Sequence, residues 1–302
     1  MPELPDVVVY IEALEARVLN HTLENIRIAS PFVLRSVTPA PSVLLGKKVR
    51  AIRRLGKQIV FAFDGEHFLV IHLMIAGRLQ WREQNAQLTG KIGLAAFDFD
   101  SGTLILTEAG SKKRASLHVV KGEAALKTFD RQALEVIDSA LEDFESALRR
   151  ENHTLKRSLT DPRLFSGIGN AFSDEILHHA RLSPMKQTSR MSEEEVRRLW
   201  ESTRSVLGEW VARLRSQAGS EFPSKVTAFR PEMAVHGRFG KPCPRCGAPV
   251  QRIVYAENEC NYCAPCQTEG RLLADRAISR LLKEDWPRSL EELEEKKQRD
   301  RL

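Results

Sequence analysis

The residues best placed to do chemistry stand at the start of the chain, where Pro2 and Glu3 follow Met1. Removal of Met1 would leave Pro2 with a secondary amine, and an α-amino group has a reference pKa of about 8, below the ~10.4 of a lysine amine. More of such an amine is neutral at pH 7, so it can attack a carbonyl-like carbon and form a cationic iminium. The alternative is that Pro2 only stiffens the terminus.

Four cysteines near the other end of the chain have the spacing of a metal site. They form two C-x-x-C pairs with sixteen residues between them, Cys243 with Cys246 and Cys263 with Cys266. This pattern is typical of a structural zinc site, in which four thiolates fill the tetrahedral shell. The sequence therefore predicts one structural Zn2+, with disulfides or buried free thiols as the alternatives. Cys260 also makes a C-x-x-C with Cys263, which leaves a second ligand register open.

Composition favours a soluble, cytoplasmic protein of two or three domains. The 302 residues are 42% hydrophobic and 28% charged, and no apolar run reaches the ~18–20 residues of a membrane span. The acidic, proline-containing start lacks the basic segment of a signal peptide. Paired cysteines without such a signal favour a reducing compartment. The sequence thus predicts no membrane partner.

Basic residues are clustered, and the net charge of +6 permits a polyanionic partner. One cluster lies in residues 47–57, a second consists of Lys112, Lys113 and Arg114, and a third lies in residues 238–252 around the cysteines. Each cluster alone is explained as part of a solvent-exposed surface of the protein. Together they indicate a surface that follows phosphates.

The hydrophobic pattern divides the chain into regions. Residues 6–19 have helical spacing, residues 22–121 form short β-type runs typical of a sandwich, and residues 132–220 are helical again. A capping box at Ser192 begins a long helix. The predicted fold class is therefore α+β.

A third motif, Gly167-Ile168-Gly169-Asn170, stands before a predicted helix. Glycines permit a tight turn, and the free N–H groups of a helix start suit a phosphate. A plain connection between helices explains the same residues.

Taken together, the three motifs resemble the formamidopyrimidine-DNA glycosylase and endonuclease VIII family. The opening Met1-Pro2-Glu3-Leu4-Pro5 is similar to the family's Met-Pro-Glu-Leu-Pro and favours the formamidopyrimidine branch. The Gly-Ile-Gly-Asn turn is similar to its helix–two-turns–helix element. Residues 236–243 and the Cys266-Gln267 ending are similar to its zinc finger.

The resemblance implies a bacterial, nucleoid-associated base-excision repair enzyme, a monomer acting on double-stranded DNA that contains damaged bases or abasic sites. It implies that Pro2 is the nucleophile, that Glu3 is the acid and that Lys57 belongs to the catalytic group. Met74 would fill the gap left by an extruded base. The DNA contacts, from the resemblance and the basic clusters, would be Lys112, Lys113, Arg114, Lys156, Gly169, Asn170 and Arg238.

With the resemblance, the sequence predicts four regions. They are an N-terminal catalytic β-sandwich domain (1–131), a helix–two-turns–helix domain (132–235), a four-cysteine zinc-ribbon finger (236–267) and a charged helical extension (268–302). The extension begins with amphipathic spacing over Leu272, Leu273, Ile278, Leu281 and Leu282, and we expect it to dock on the core or bind a partner.

Three features depart from the family pattern. The chain continues about 35 residues past Cys266, where many members of the family stop almost at once. Residues 108–115 contain no aromatic residue, where the family has Asp-Pro-Arg-Arg-Phe-Gly, and Asn258 stands where the family has an arginine. Two other hypotheses stay open, and the altered loop and Asn258 support the first of them. One is a paralogue that binds lesions or abasic sites but excises bases weakly; the other is a zinc-ribbon RNA-binding protein, which the N-terminal motif disfavours.

Overall fold

The structure is a computed structural model that describes residues 1–88, 90–110, 112–223, 226–255, 258–273 and 287–299. Contacts divide the chain into two compact units. The first consists of residues 1–133 and 208–228, and the second of residues 134–207 and 229–302. No helix in the described part of the chain is both long enough and apolar enough to cross a bilayer.

Helix α1 (Leu4–Val18) opens the first unit. Its start is fixed locally, because the Asp6 carboxylate accepts a hydrogen bond from the backbone N–H of the N-cap residue Glu3 at 2.9 Å. Pro5 stands in the first turn, where a proline needs no N–H partner. The helix buries Tyr10 and Leu14 completely, so its apolar side anchors it to the core.

Two four-stranded antiparallel sheets form the β-sandwich predicted from the sequence. One has the order β1-β6-β7-β5 and the other the order β2-β3-β4-β8. Their inner faces enclose one core that includes Phe61, Ile71, Phe97 and Leu106. The strands are β1 Leu23–Ile28, β2 Val49–Leu55, β3 Gln58–Phe63, β4 His67–His72, β5 Gly77–Arg82, β6 Gly93–Phe99, β7 Gly102–Glu108 and β8 Ser116–Lys121. The short helix α2 (Glu123–Lys127) places Leu126 against the outer face of the second sheet.

The second unit contains the predicted helices. They are α3 (Leu141–Arg149), α4 (Leu155–Thr160), α5 (Asn170–His179) and most of the 26-residue α6 (Glu193–Ala218). The capping box that starts α6 is present: Ser192 Oγ accepts from the N–H of Glu195 at 3.2 Å, and the Glu195 carboxylate accepts from the N–H of Ser192 at 3.0 Å. Residues 208–218 of the same helix belong to the first unit.

A hairpin of β9 (Gln251–Tyr255) and β10 (Asn258–Tyr262) follows, and the short helix α7 (Ala264–Thr268) closes it. The extension contains a further helix, α8 (Leu290–Arg299). Leu272 and Leu273 of the predicted amphipathic stretch pack beside the hairpin. Ile278, Leu281 and Leu282 lie outside the described residues.

Candidate functional site

The predicted site residues fall into two groups, one in each unit, and the first group surrounds the N-terminus. Pro2 is buried, and Glu3 is only 3% exposed. Burial lowers the pKa of the Met1 α-amino group below its usual 8.0, while the charges of Glu3 and Asp6 oppose that shift and Arg78 and Lys57 add to it. The N-terminus therefore lies within electrostatic range of both acids and both cations.

With Met1 present, the nitrogen of Pro2 is an amide and carries no nucleophilic lone pair. Removal of Met1 would place the new secondary amine next to Glu3, in this same buried, mixed-charge surrounding. Burial disfavours the charged form of an amine, so a larger share of the Pro2 amine would be neutral at pH 7 than at an exposed terminus.

Lys57 is held by a tight two-residue turn between β2 and β3. Gly56 has a φ of +62°, which glycine adopts without strain. Nη1 of Arg54 donates to the carbonyl oxygen of Gly56 at 2.8 Å and fixes the turn from inside. The sequence Arg54-Leu55-Gly56-Lys57 thus fixes the turn that carries the lysine by local geometry.

Met74 lies in the turn between β4 and β5, with a φ of +52° that is unusual for a residue with a side chain. The N–H of Gly77 donates to the carbonyl oxygen of Leu73 at 2.9 Å and closes the turn. A Cβ at residue 77 would lie 2.2 Å from that oxygen, so only glycine fits. Ile75, beside Met74, is 53% exposed. The turn therefore offers apolar side chains at the surface.

Sequence reasoning missed Gly77 and Arg78, although both stand within four residues of Met74. The Arg78 guanidinium donates to the carbonyl oxygens of Gly77 at 2.7 Å, Ile75 at 3.2 Å and Val226. It thus holds the Met74 turn while its charge acts on the N-terminus. The sequence signal that could have identified them is their position as a Gly-Arg pair directly after the turn that carries Met74.

The loop before β8 carries Lys112, Lys113 and Arg114. Lys112 and Arg114 are exposed, whereas the half-buried Lys113 donates to the carbonyl oxygen of Glu108. The Glu108 carboxylate is 1% exposed and accepts from the N–H groups of Arg114 at 2.9 Å and Ala115 at 3.1 Å. Glu108 therefore fixes the loop, and Lys113 is engaged within the loop itself.

This loop lies next to the Met74 turn. A Cβ added at Gly110 would be 3.5 Å from the Cβ of Ala76, so the two segments lie close together. Met74, which is expected to fill the gap left by an extruded base, thus lies near the loop that carries the two exposed cations Lys112 and Arg114.

The second group centres on the start of α5. Gly169 is the N-cap residue, and Nδ2 of Asn170 donates to the carbonyl oxygen of Glu259 on β10 at 2.9 Å. Lys156 is 4% exposed, and its ammonium donates to the Asn170 carbonyl at 2.7 Å, Ser173 Oγ at 2.8 Å and Asp174 Oδ1 at 2.6 Å. Three acceptors match its three donors. In this geometry Lys156 positions the helix start.

Asp174 and Glu175 tie α5 to the segment before the cysteines. The second Asp174 oxygen pairs with His236 Nδ1 at 2.8 Å and accepts from the N–H of Asn261 at 3.1 Å. The Glu175 carboxylate accepts from the backbone N–H groups of residues 234–236 at 2.7–2.9 Å. The sequence showed these acids only as part of a motif, because the backbone partners lie about 60 residues away.

The four predicted cysteines come together, with all their sulfur atoms within 4.8 Å of one another. A tetrahedral zinc with Zn–S bonds of about 2.3 Å needs sulfur atoms ~3.8 Å apart, so the cluster fits zinc. The sulfur of the buried Cys243 also lies 3.2 Å from Nε2 of His178. Neighbours of this kind orient metal ligands, and sequence reasoning gave His178 no such place.

Cys260 stands apart from this cluster. It is 1% exposed and packs with Ile253, Tyr262 and Leu272. The geometry therefore favours the register that uses Cys243, Cys246, Cys263 and Cys266.

The remaining two positions of interest lie near the hairpin. Arg238 donates from Nη1 to the carbonyl oxygen of Pro231 at 2.9 Å and from Nη2 to that of Pro242 at 3.5 Å, so it spans the loop before the first cysteine. Asn258 pairs through its backbone with Tyr255 at the end of the hairpin. The side chain of Asn258 is outside the part of the chain that the structure describes.

Comparison with family models shows two matches. Residues 1–111 match the formamidopyrimidine-DNA glycosylase N-terminal domain, and residues 133–221 match the formamidopyrimidine-DNA glycosylase H2TH domain. The chain is 33% identical over 279 residues to a Thermus thermophilus protein named formamidopyrimidine-DNA glycosylase, covering 89% of this chain and 100% of the relative. A Heliobacterium modesticaldum protein of the same name is 31% identical over 281 residues, covering 88% and 100%.

Solved structures are similar as well. The Lactococcus lactis protein in complex with DNA containing an abasic site has a TM-score of 0.79 at 25% identity, covering 88% of this chain and 99% of that one. A mutant of the same protein with DNA containing Fapy-dG has a TM-score of 0.77 at 25% identity, covering 88% and 100%. These relatives match this chain over their whole length, and about a tenth of this chain lies outside the match.

Proposed function

Because this chain belongs to the formamidopyrimidine-DNA glycosylase family, we propose that it excises damaged bases from double-stranded DNA and cleaves the resulting abasic sites, with Pro2 as nucleophile. The observation that carries the assignment of residues is the buried pair of Pro2 and Glu3 at the start of α1, with Lys57 and Arg78 within electrostatic range. The complexes of similar structures with abasic-site and Fapy-dG DNA support this substrate class.

The chemistry begins on a nucleotide that has left the base stack, since C1′ cannot be reached inside a duplex. The lone pair of the Pro2 nitrogen forms a bond to C1′, and the glycosidic bond breaks, so the base leaves with its electron pair. The Pro2 nitrogen gives its own proton to the departing base, and its lone pair is then free to expel O4′. The Glu3 carboxyl gives its proton to O4′ as the C1′–O4′ bond opens. A cationic iminium between Pro2 and C1′ remains.

Strand cleavage follows from the charge of that iminium. It withdraws electrons from C2′, which therefore loses a proton, and the electron pair expels the 3′ phosphate. Glu3 is placed for the acid step because it follows Pro2 directly in the chain and its side chain is almost completely buried. Water then releases Pro2.

Residues of the first unit would open the duplex and hold it. Met74, beside the exposed Ile75, would fill the gap left by the extruded base and offset part of the unstacking cost. Lys57, Lys112 and Arg114 would contact phosphates. Lys113 would join them only by leaving the Glu108 carbonyl oxygen.

Residues of the second unit would bind the DNA backbone. The N–H groups of Gly169 and Asn170 stand at the start of the ten-residue α5, where the helix dipole favours an anion. Lys156 adds positive charge directly beneath this start, and a direct phosphate contact would replace one of its three acceptors. Arg238 would contribute from the loop before the cysteines.

One zinc ion would be held by Cys243, Cys246, Cys263 and Cys266. It would contribute folding energy to the hairpin and no chemistry, because four thiolates leave no open coordination position. We further propose that the protein acts as a monomer in the bacterial cytoplasm, on nucleoid DNA. The binding-only paralogue considered from the sequence is disfavoured by the family membership and by the retained Pro2–Glu3 pair.

The decisive experiment is borohydride trapping on duplex DNA that contains an abasic site. Reduction of the iminium should give a stable protein–DNA adduct whose modified peptide begins at Pro2. A matched protein that keeps a tag in front of Pro2 should give no adduct, since an amide nitrogen is not nucleophilic. An adduct on an internal lysine, or none with fully trimmed protein, would refute the assignment.

A further inference from the structure

The hairpin of β9 and β10 has two unlike faces. Side chains alternate between them, and the face that carries Glu259 also carries Val254, which is 40% exposed. The backbone of β10 is joined to α5, because the Glu259 carbonyl oxygen accepts from Asn170 and the N–H of Asn261 donates to Asp174. The opposite face carries Ile253, Cys260 and Tyr262, which are at most 4% exposed. Cys260 on this face lies beside Asp174 of α5, and the apolar cluster around it is completed by another segment.

The extension completes this cluster. Leu272 is 7% exposed within the same cluster, and Leu273, Leu290 and Leu293 pack against that cluster. Leu290 and Leu293 are three residues apart on α8, so they lie on one side of the helix. The exposed residues Glu291 and Glu294 occupy other sides of α8. This helix thus meets the hairpin with an apolar side and meets solvent with an acidic one.

Two hydrogen bonds fix the extension in place. The N–H of Leu273 donates to the Tyr262 hydroxyl at 2.8 Å, and the N–H of Leu272 donates to the carbonyl oxygen of Arg288 at 2.9 Å. The start of α8 is capped at this point, since Ser289 Oγ accepts from the N–H of Glu292 at 3.2 Å. Packing and polar contacts therefore act on the same few residues.

We propose that residues 287–299 are a brace that holds the metal hairpin in the shape needed for DNA binding. A two-stranded hairpin is marginal alone, and a structural metal at its base fixes only one end. The brace acts on the strands, and the backbone of β10 supplies the Glu259 carbonyl oxygen that orients Asn170. The extension, which many members of this family lack, is in this view a positioning element. Only its DNA readout rests on the function proposed above.

The test compares two double variants of one helix with the same replacement residue. Leu290→Ser with Leu293→Ser removes the packed side, whereas Glu291→Ser with Glu294→Ser removes exposed side chains and serves as the control. Hydrogen exchange of residues 251–262 is measured on full-length, zinc-loaded protein without DNA. We expect exchange in the hairpin to rise roughly tenfold in the leucine variant only, because local opening becomes easier. Exchange in α5 and in the sandwich strands should not change.

Two further measurements separate a brace from general stabilisation. Zinc content should remain one ion per chain in both variants, and the Kd for a duplex with an abasic-site analogue should rise roughly tenfold in the leucine variant. Tyr262→Phe, which removes only the acceptor for Leu273, should give a smaller change of the same kind. Equal hairpin exchange in the leucine and glutamate variants would overturn the proposal, and so would loss of zinc in the leucine variant. A protein that shows the exchange difference but traps no abasic DNA would refute the function and leave the brace intact.

Discussion

The two ends of this molecule place their functional residues in different ways. Near the N-terminus the geometry is local: Asp6 fixes the backbone of Glu3, and the glycines at 56 and 77 shape the turns of Lys57 and Met74. Around the cysteines it is non-local, because one carboxylate, Asp174, gathers partners from α4, the segment at residue 236 and β10. Replacement of a functional side chain at the first end should therefore change chemistry with little loss of fold, and replacement of one at the second end should do the reverse.

The largest effect is expected from the metal ligands. Cys243→Ser should remove the zinc, unfold the hairpin and abolish DNA binding, since binding free energies of structural zinc reach about 10–16 kcal/mol in zinc fingers. Cys260→Ser should keep the zinc, because Cys260 packs in the apolar cluster beside Ile253. Metal analysis and binding assays check both variants. If Cys260→Ser loses the metal and Cys266→Ser retains it, the ligand register is wrong.

Substitution of Glu3 should lower activity without loss of fold, which is the opposite of the effect expected at the metal ligands. Glu3→Gln should slow base excision roughly 10²- to 10⁴-fold, the usual contribution of a general acid. The melting temperature should change little, because the backbone N–H of residue 3 still donates to Asp6 and the glutamine side-chain oxygen can still accept from the N–H of Asp6. Single-turnover excision and thermal unfolding are measured on the same samples. Loss of rate explained by unfolding would break the contrast between the two ends.

The free energy of unfolding should also depend on pH, through His72 in the first unit. Burial first, and then the charges of Lys57, Arg131 and His118, lower the pKa of His72 from 6.5 to about 4. The unfolded chain takes up this proton near pH 6.5 and the folded chain only near pH 4, so the free energy of unfolding falls as the pH drops through this window. The loss should be about 1–3 kcal/mol for a half-buried ring.

His72→Asn isolates this contribution, because asparagine does not titrate. Denaturant unfolding at several values between pH 7 and pH 4 should give a smaller decline for the variant than for the wild type. Parallel declines would show that His72 titrates normally in the folded protein.

The turn that carries Met74 offers a matched pair of glycines. Gly77→Ala should displace the turn and destabilise the protein by about 1–3 kcal/mol, since the new Cβ would lie 2.2 Å from the Leu73 carbonyl oxygen. Gly208→Ala, exposed on α6 with nothing near its added Cβ, should stabilise by up to about 1 kcal/mol. Unfolding free energies and excision rates test the pair. A harmless Gly77→Ala would mean that this turn does not require glycine.

Local geometry explains what could be predicted from the sequence. The sandwich, the capping box at Ser192 and the meeting of the four cysteines follow from patterns within short windows or fixed spacings. The Asp174 and Glu175 contacts and the place of His178 beside Cys243 could not be predicted, because their partners are about 60 residues or more away in sequence. The same holds for the docking of α8 on the hairpin, for which periodicity offered only two alternatives.

The smallest effect is expected in the choice of lesion, where the loop before β8 departs from the family pattern. We expect excision of 8-oxoguanine to be slow and to differ by no more than a few-fold between cytosine and adenine as the opposite base, while abasic DNA is cleaved readily. The loop has no ring to support the stack, and the cost of unstacking is a few kcal/mol per step. Lys113 is bound to the Glu108 carbonyl oxygen, which leaves Lys112 and Arg114 as its exposed cations.

An abasic site has already lost its base, so its extrusion demands less of Met74 and of this loop. Single-turnover rates on duplexes with 8-oxoguanine opposite cytosine, 8-oxoguanine opposite adenine and an abasic site measure the three cases side by side. Arg114→Ala should leave the ratio between the two opposite bases unchanged, because an arginine that holds phosphate does not distinguish bases. Rapid excision opposite cytosine with strong discrimination against adenine, lost in Arg114→Ala, would show instead that Arg114 reads the opposite base. The loop would then recognise the opposite base through a non-aromatic side chain, and its departure from the family pattern would not remove that function.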